Sequence, residues 1–210
     1  MPLLQYALVV LVGYLLGAIP TGYIVGRIKG VDVREYGSGR TGGTNVLRSV
    51  GGLPALVTGA GDLVKGMAAV FIARAFLHTE AAAAMAGIAA VVGHNWSIFI
   101  GSRGGAGTGP SMGGFLLLTP IHAVVVGAIS AVIGLGLRYA SVTSILICCL
   151  MSPALLIAVV LVGEPVEHLA YALTVGGIIL FSHRPNFRRL VSGTERRLGE
   201  PAREIGEKRA

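Results

Sequence analysis

Long apolar runs divide this chain into segments of membrane-spanning length. Four runs carry no charged side chain, and two more segments are strongly apolar; in chain order the six are 1–26, 53–78, 81–102, 104–137, 139–163 and 165–182. A helix needs about 20 residues to cross the roughly 30 Å hydrocarbon core of a bilayer, and these segments approach or exceed that length. The pattern predicts an all-α integral membrane protein.

The run 104–137 is too long for one crossing, because a helix of 34 residues would extend about 51 Å. Thr119-Pro120 lies near its middle, and a proline disfavours helix in the preceding residue while fitting the first turn of a new helix. We therefore expect two short helices, about 111–118 and 121–137, split at Thr119-Pro120. This division brings the predicted number of transmembrane helices to seven.

Composition supports the membrane assignment. Hydrophobic residues make up 53% of the chain and charged residues 13%, and the mean hydropathy is +0.75. A soluble domain carries about a quarter charged residues. The formal net charge of +7 comes from basic residues in loops and the tail rather than on a soluble face, which argues against nucleic acid as a partner. The histidines and cysteines show no ligand spacing, so we expect no metal.

Basic residues also predict the orientation. They gather in 27–48, after the first apolar run, and in 184–197, after the last. Both groups belong on the cytoplasmic side, so seven helices place the amino terminus outside and the carboxyl terminus inside. We expect residues 1–198 to form a single polytopic domain and 199–210 to form a charged cytoplasmic tail.

The richest polar segment follows the first apolar run. Residues 37–45 read Gly-Ser-Gly-Arg-Thr-Gly-Gly-Thr-Asn, and Arg48 follows. Glycines let a backbone approach an anion closely, and the polar side chains between them donate hydrogen bonds. A phosphate site is the functional interpretation, and a flexible connector is the alternative. Residues 37–42 also fit a dinucleotide-binding pattern, but no strand–helix–strand unit is predicted around them.

Two further features lie within or beside the apolar segments. Asp62 and Lys65 are three residues apart, so they share a helix face: they form a structural ion pair, or Lys65 faces a phosphate oxygen. A second glycine-rich segment, 101–112, follows His94 and Trp96 and offers backbone donors to an anion. For His94 and Trp96, anchoring at the membrane interface is the alternative.

His183 and Asn186 close the last apolar segment. A histidine there can donate to a phosphate or assist proton transfer near neutral pH. The alternative for His183 is a side chain that reaches the membrane interface without a catalytic role. The two glycine-rich segments and this histidine all lie at predicted cytoplasmic ends, so we expect them to converge on one site.

Taken together, these segments resemble a known family, the bacterial acyl-phosphate:glycerol-3-phosphate acyltransferases, over residues 5–198. The resemblance rests on 14–23, Ser38-Gly39-x-x-Gly42-x-Thr44-Asn45-Val46-Leu47-Arg48, Asp62-x-x-Lys65-Gly66, Gly93-His94, Arg138-Tyr139-x-Ser141 and His183-x-x-Asn186-x-x-Arg189-Leu190-x-x-Gly193-Thr194-Glu195. It implies a multi-pass enzyme of the bacterial inner membrane whose active site faces the cytoplasm. That enzyme transfers a fatty acyl group from acyl phosphate to the 1-hydroxyl of glycerol 3-phosphate, giving lysophosphatidic acid and phosphate without a cofactor.

The resemblance also implies roles for individual residues. The catalytic residues would be Ser38, Arg48, Lys65, His183 and Asn186. The residues that bind glycerol 3-phosphate and fatty acyl phosphate beside the membrane lipid would be Gly39, Gly42, Thr44, Asn45, Arg103, Gly104, Gly105, Gly107 and Ser141.

The second glycine-rich segment departs from the family pattern. The family usually reads Gly-Gly-Lys-Gly-Val-Ala-Thr where this chain has 104–110, so Ala106 stands in the place of a lysine. We expect Arg103 to compensate. Arg40 likewise stands where the family usually has asparagine.

Two other functions remain open. One is a divergent paralogue with altered or lost activity. The other is a membrane transporter or binding protein for a phosphorylated solute or lipid. A transporter would line a path near the bilayer midplane rather than gather its polar groups at one face.

Overall fold

The structure, a computed structural model, describes residues 2–206, which fold into a helical bundle. Ten α-helices occur in this range: α1 (Pro2–Ala18), α2 (Thr21–Ile28), α3 (Gly43–Ser49), α4 (Gly52–Leu77), α5 (Glu80–Asn95), α6 (Thr108–Leu118), α7 (Pro120–Gly136), α8 (Ala140–Val162), α9 (Val166–Ser182) and α10 (Arg184–Val191). The described residues form no β-strand, and one isolated bridge pairs Tyr36 with Glu204. The all-α prediction is confirmed. Met1 of the first run and 207–210 of the tail lie outside the described range.

Several helices have the length and hydropathy of membrane spans. Four segments qualify by themselves: Pro2–Ile28, Gly52–Leu77, Glu80–Ile100 and Ala140–Val162. A fifth candidate is the pair α9 and α10, which bend by 59° relative to each other, and α7 is apolar but shorter. The protein therefore has the character of a multi-pass membrane protein. The count of seven crossings and the orientation of the termini stay predictions.

The predicted split of the long apolar run is confirmed. Helix α6 ends at Leu118 and α7 begins at Pro120. Proline fits the first position of a helix, where no backbone donor is needed. Helix α6 begins at Thr108, three residues earlier than the sequence indicates.

The first apolar run contains a break that hydropathy does not reveal. Helix α1 ends at Ala18, and α2 begins after Pro20. Side chains from other parts of the bundle bind the carbonyl groups exposed there: Ser97 donates to the Ala18 oxygen, and the Lys65 ammonium donates to the Ile19 oxygen. The first apolar run, counted as one segment in the sequence, thus forms two helices, which together still have the length of one membrane span.

Small residues bring α1 and α5 into close contact. A Cβ atom on Gly17 would lie 2.0 Å from the Ala90 carbonyl oxygen, and one on Gly93 would lie 2.1 Å from the Tyr14 carbonyl oxygen. In membranes, small residues let helices pack backbone against backbone, which gains dispersion contacts that lipid does not replace. This contact fixes the carboxyl-terminal end of α5, which carries His94.

A cluster of charged groups fixes the opposite end of α5. The two ring nitrogens of His168, on α9, lie 2.7 Å from a Glu164 carboxylate oxygen and 2.9 Å from one of Glu80. Arg74, on α4, pairs with the same Glu80 and donates to the Leu117 carbonyl of α6. Four helices are thus tied together at this end of the bundle.

We expect Gly17→Ala to lower the free energy of unfolding by about 1–3 kcal/mol, because the added methyl group overlaps the α5 backbone. Thermal unfolding of the purified protein in detergent measures the effect. The matched control is Gly177→Ala on α9, where an added Cβ meets nothing within 4 Å and alanine favours the helix. Equal midpoints for the two variants would contradict the packing argument.

Candidate active site

The glycine-rich segments and the helix ends enclose a cavity of about 430 Å³. Its wall combines the first loop with α3, the start of α6, the end of α7, the start of α8 and the turn that joins α9 to α10. Most residues predicted for the site line it: Ser38, Gly42, Thr44, Asn45, Arg48, Gly107, Ser141, His183 and Asn186. Segments far apart in the chain thus line one cavity, and its role as the site stays a prediction.

Five of the predicted residues do not line the cavity: Lys65, which is described below, and four others. Gly39, Arg103, Gly104 and Gly105 line a neighbouring groove of about 540 Å³. Ala106 lines the cavity itself. The structure thus gives no support to compensation by Arg103, because Arg103 and Ala106 line different spaces.

Close packing explains the glycines at 104 and 105. A Cβ atom on Gly104 would lie 1.9 Å from the His94 carbonyl oxygen, and one on Gly105 would lie 2.0 Å from the His94 ring nitrogen Nε2. The backbone N–H of Gly105 also donates to the His94 carbonyl at 3.0 Å. These glycines let the second loop lie against the end of α5.

Lys65 lies behind the cavity wall in a buried polar cluster. Its side chain is only 6% exposed, and its ammonium nitrogen lies 2.8 Å from Asp62 Oδ1, 2.8 Å from His94 Nδ1 and 2.9 Å from the Ile19 carbonyl oxygen. A lysine ammonium only donates, so His94 Nδ1 accepts and the ring proton is on Nε2. Asp62 and His94 line the cavity, whereas Lys65 supports them from behind.

The structure shows the ion pair between Lys65 and Asp62, and the role of Lys65 towards a phosphate oxygen stays a prediction. Asp62 and His94 are residues that the sequence analysis did not assign to the site. The sequence does contain a signal for both residues. Asp62 lies in the same motif as Lys65, and His94 lies in the Gly93-His94 motif.

Asn45 organises the first loop from inside. Its amide nitrogen donates to the carbonyl oxygens of Val33, Tyr36 and Arg40 at 2.8, 3.1 and 2.8 Å, and its Oδ1 accepts from the Ser38 backbone N–H at 3.0 Å. The residue is 3% exposed. Its hydrogen-bonding groups are thus engaged with the loop, and the side chain shapes the cavity without offering a free donor to a ligand.

Gly37 completes this turn. Its φ of +57° is a left-handed conformation that favours glycine. A Cβ atom there would also lie 2.4 Å from Asn45 Oδ1. The flexible-connector interpretation of this loop does not fit, since one buried amide fixes it at four points.

Glu195 carries a third polar cluster, at the base of the tail. Its carboxylate accepts from Ser141 Oγ at 3.0 Å, from Asn186 Nδ2 at 2.8 Å and from Arg189 Nε at 2.8 Å. The residue is 8% exposed and lines the cavity. Glu195 therefore orients two predicted site residues, although the sequence analysis gave it no role.

Arg48 connects the cavity to the segment that follows α10. Its guanidinium donates to the carbonyl oxygens of Arg196 and Arg197 at 3.0 and 3.3 Å. Burial lowers the pKa of Arg48, and the nearby charge of Arg196 acts in the same direction. The charges of Glu195 and Glu200 oppose this shift, and arginine stays protonated at any physiological pH, so Arg48 is a partly buried cation.

His183 lies at the junction of α9 and α10 and is buried. Its Nδ1 lies 2.8 Å from the Ile179 carbonyl oxygen, which only accepts, so Nδ1 carries a proton. In the neutral ring, Nε2 is then an acceptor. This arrangement leaves one histidine nitrogen to receive a hydrogen bond from a substrate hydroxyl.

The glycerol-3-phosphate acyltransferase family matches this chain over residues 7–193. The chain belongs to this family. Glycerol-3-phosphate acyltransferase 3 of Dehalococcoides mccartyi is 43% identical over 211 residues, which cover 93% of this chain and 97% of that protein. The glycerol-3-phosphate acyltransferase of Rubrobacter xylanophilus is 41% identical over 192 residues, which cover 91% and 94% of the two chains.

Solved structures of a glycerol-3-phosphate acyltransferase also match. The chain is similar to the crystal structure of PlsY, an integral membrane glycerol 3-phosphate acyltransferase, in its glycerol 3-phosphate form, with a TM-score of 0.86 and 33% identity over 92% of this chain and 96% of that chain. The lysophosphatidic acid form matches with a TM-score of 0.81 and 30% identity. The family resemblance found in the sequence is confirmed, and so is an integral membrane fold.

In this acyltransferase, Asn45→Asp tests the role of the loop amide. The substitution places a carboxylate oxygen where Nδ2 now donates to three carbonyls, so we expect the free energy of unfolding to fall by about 1–3 kcal/mol. Thermal unfolding and protease cleavage within the first loop are the measurements. Gln5→Glu, an amide-to-acid change at an exposed position of α1, is the control. A first loop as resistant as in the parent protein would show that Asn45 does not hold it.

Proposed function

We propose that this protein transfers a fatty acyl group from acyl phosphate to the 1-hydroxyl of glycerol 3-phosphate, giving lysophosphatidic acid and phosphate. The observation that carries the proposal is one cavity that combines two guanidinium groups, hydroxyl donors and a histidine with a free acceptor nitrogen. The forms of the matching PlsY structures support glycerol 3-phosphate as the acceptor and lysophosphatidic acid as the product. The same family is the reason for proposing no cofactor.

The charges of the cavity suit two phosphate-bearing substrates. Two acidic residues line it, but each has a basic partner: Asp62 pairs with Lys65 and Glu195 with Arg189, both at 2.8 Å. Arg40 and Arg48 also line the cavity. A phosphate monoester carries about −1.5 to −2 charge near neutral pH, so two such groups need cations of this kind. This charge balance supports acyl phosphate as the donor.

The reaction needs positioning and charge stabilisation more than a strong base, since an acyl phosphate is a reactive mixed anhydride. The substrate hydroxyl oxygen forms a bond to the acyl carbon, and the bond from that carbon to the phosphate oxygen breaks. The hydroxyl proton leaves by way of His183 Nε2, the hydrogen-bond acceptor of the hydroxyl group, and ends on an oxygen of the departing phosphate. Atoms and charge balance without a covalent enzyme intermediate.

Each part of the cavity has a task in this reaction. His183 Nε2 accepts a hydrogen bond from the substrate hydroxyl group and so orients it. Ser38 and Thr44 donate hydrogen bonds to oxygens of the acyl phosphate. Asn186 and Ser141, oriented by Glu195, meet the glycerol 3-phosphate side. Lys65 acts through Asp62 and His94 and is a positioning residue in this arrangement.

The acyl chain requires an apolar exit toward lipid. Ala131 and Leu135 of α7 line the cavity, and the Leu135 side chain is 64% exposed on the outside of the bundle. Burying each additional methylene of a chain against such a surface stabilises binding by about 0.8 kcal/mol. We place the fatty acyl chain along this part of α7.

The topology completes the proposal. We place seven crossings in the membrane: α1 with α2, then α4, α5, α6, α7, α8 and α9. The amino terminus is outside and the carboxyl terminus is cytoplasmic, in the inner membrane of a bacterium, with the cavity open to the cytoplasm. The support is the gathering of arginines around the cavity and the tail, since basic residues favour the cytoplasmic side. The division at residue 198 into a membrane domain and a charged tail also remains a proposal.

Phosphate release from palmitoyl phosphate tests the activity. In lipid vesicles we expect release to depend on glycerol 3-phosphate, with lysophosphatidic acid formed in equal amount. Ser38→Ala and His183→Ala should each lower the rate at least about 10²-fold, because each removes a hydrogen bond to reacting groups.

Matched controls lie outside the cavity. Ser192→Ala, in an exposed turn, and His122→Ala, in the first turn of α7, should retain the parent rate within about twofold. Absence of glycerol-3-phosphate-dependent release would overturn the proposal and favour a paralogue without this activity. Uptake of labelled glycerol 3-phosphate into vesicles without product would favour a transporter.

The acyl-chain path has its own test. Ala131→Phe should lower kcat/KM for palmitoyl phosphate at least about tenfold more than for octanoyl phosphate, because the ring occupies the exit that only the longer chain fills. Ala128→Phe, on an exposed face of the same helix, is the control. An equal decrease for both donors would place the acyl chain elsewhere.

A further inference from the structure

Arg40 lies at the junction of the two spaces beside the second loop. It lines the cavity, and it also lines the groove that holds Arg103. Its guanidinium Nη2 donates to the Ser182 carbonyl, one residue before His183. Among residues 2–206, Ser182 is the single acceptor of a hydrogen bond from the Arg40 side chain, so the other N–H groups remain for a ligand.

Three other basic residues near the cavity have protein partners. Lys65 is paired with Asp62, and Arg189 with Glu195. Arg48 donates to the carbonyl oxygens of Arg196 and Arg197. Arg40 is thus the cavity-lining cation of the described chain with the fewest protein acceptors.

The electrostatic environment of Arg40 is that of an anion-binding group. The residue is half-buried, and burial together with the charge of Arg189 lowers its pKa, while the charge of Glu195 only partly opposes this shift. The incompletely compensated charge of a partly desolvated guanidinium attracts a phosphate more strongly than a solvated charge does. The guanidinium fork also matches the geometry of two phosphate oxygens.

We propose that Arg40 binds the phosphate group of a substrate in the cavity and supplies the cation that the second loop lacks at Ala106. This assignment rests on the proposed acyltransferase function. It concerns two residues of this chain that line the same cavity: an arginine at position 40 and an alanine at position 106. A positive charge at either position would reach the same enclosed space.

The decisive variants are Arg40→Gln and Arg40→Lys. Loss of a charge-assisted hydrogen bond should raise KM for one phosphate-bearing substrate about 10- to 100-fold in Arg40→Gln, with a smaller change in kcat and an unchanged unfolding midpoint. Arg40→Lys keeps the charge and should lose less. The substrate whose KM rises, palmitoyl phosphate or glycerol 3-phosphate, identifies the phosphate that Arg40 binds.

A second-site variant tests whether a positive charge at position 106 can replace the one at position 40. Ala106→Lys, added to Arg40→Gln, should restore KM to within about fivefold of the parent protein, because it returns one charge to the cavity. Arg188→Gln is the matched control, since Arg188 lines only the groove. It should change KM by less than about twofold.

Three results would overturn the proposal. The first is Arg40→Gln with parent kinetics, and the second is a loss of activity with unchanged KM and a lowered unfolding midpoint, which indicates a structural role. The third is a larger effect from Arg103→Gln than from Arg40→Gln. If Ala106→Lys fails to fold, equal losses in Arg40→Lys and Arg40→Gln overturn the charge argument.

A binding measurement separates this proposal from the acyltransferase activity itself. Inorganic phosphate should raise the unfolding midpoint of the parent protein by binding the folded state, and the increase should be reduced in Arg40→Gln. If this reduction is observed but the parent protein shows no acyl transfer, Arg40 is still a phosphate ligand. Only the proposed reaction is then overturned. If phosphate raised the unfolding midpoint of Arg40→Gln as much as that of the parent protein, Arg40 would not be a phosphate ligand.

Discussion

The ammonium group of Lys65 is the contact on which the site depends. It joins the α1–α2 break at Ile19, the carboxylate of Asp62 on α4 and the ring of His94 on α5. A buried charge without partners is costly, whereas one with three well-placed partners fixes their relative positions. The wall of the cavity is therefore set by a residue behind it. Removing this one charge would leave a buried carboxylate and a backbone carbonyl without their donor.

Sequence reasoning succeeded where a single residue decides the local structure. Pro120 interrupts an apolar run too long to cross once, and the structure breaks there. Pro20 interrupts the first run in the same way, but that run has an acceptable length for one span, so nothing required a break. Hydropathy does not show this break because its stabilising partner is distant in the chain: Lys65, 46 residues away, donates to the Ile19 carbonyl that the break leaves free. The length of an apolar run therefore predicts a helix break only where the run is too long to cross the membrane once.

The same limit applies to the site. Motif order placed Ser38, His183 and Asn186 in one cavity, because residues at the same end of a bundle converge. It did not distinguish residues that face the cavity from residues that shape it. Asn45 and Gly105 have polar or glycine character suited to a phosphate, yet their contacts are with the protein. Whether a residue faces the cavity or shapes it depends on contacts between distant segments. Hydropathy and residue spacing carry no information about those contacts.

Glu195 has a consequence for how the enzyme is assembled. It follows every predicted membrane segment in the chain order, and yet it is buried in the cavity wall and holds Ser141 and Asn186. During synthesis, the earlier helices insert while this carboxylate is still absent. The cavity is thus incomplete until the chain beyond α10 has folded back against α8. Catalytic competence would then arise late, as a final docking event after membrane insertion.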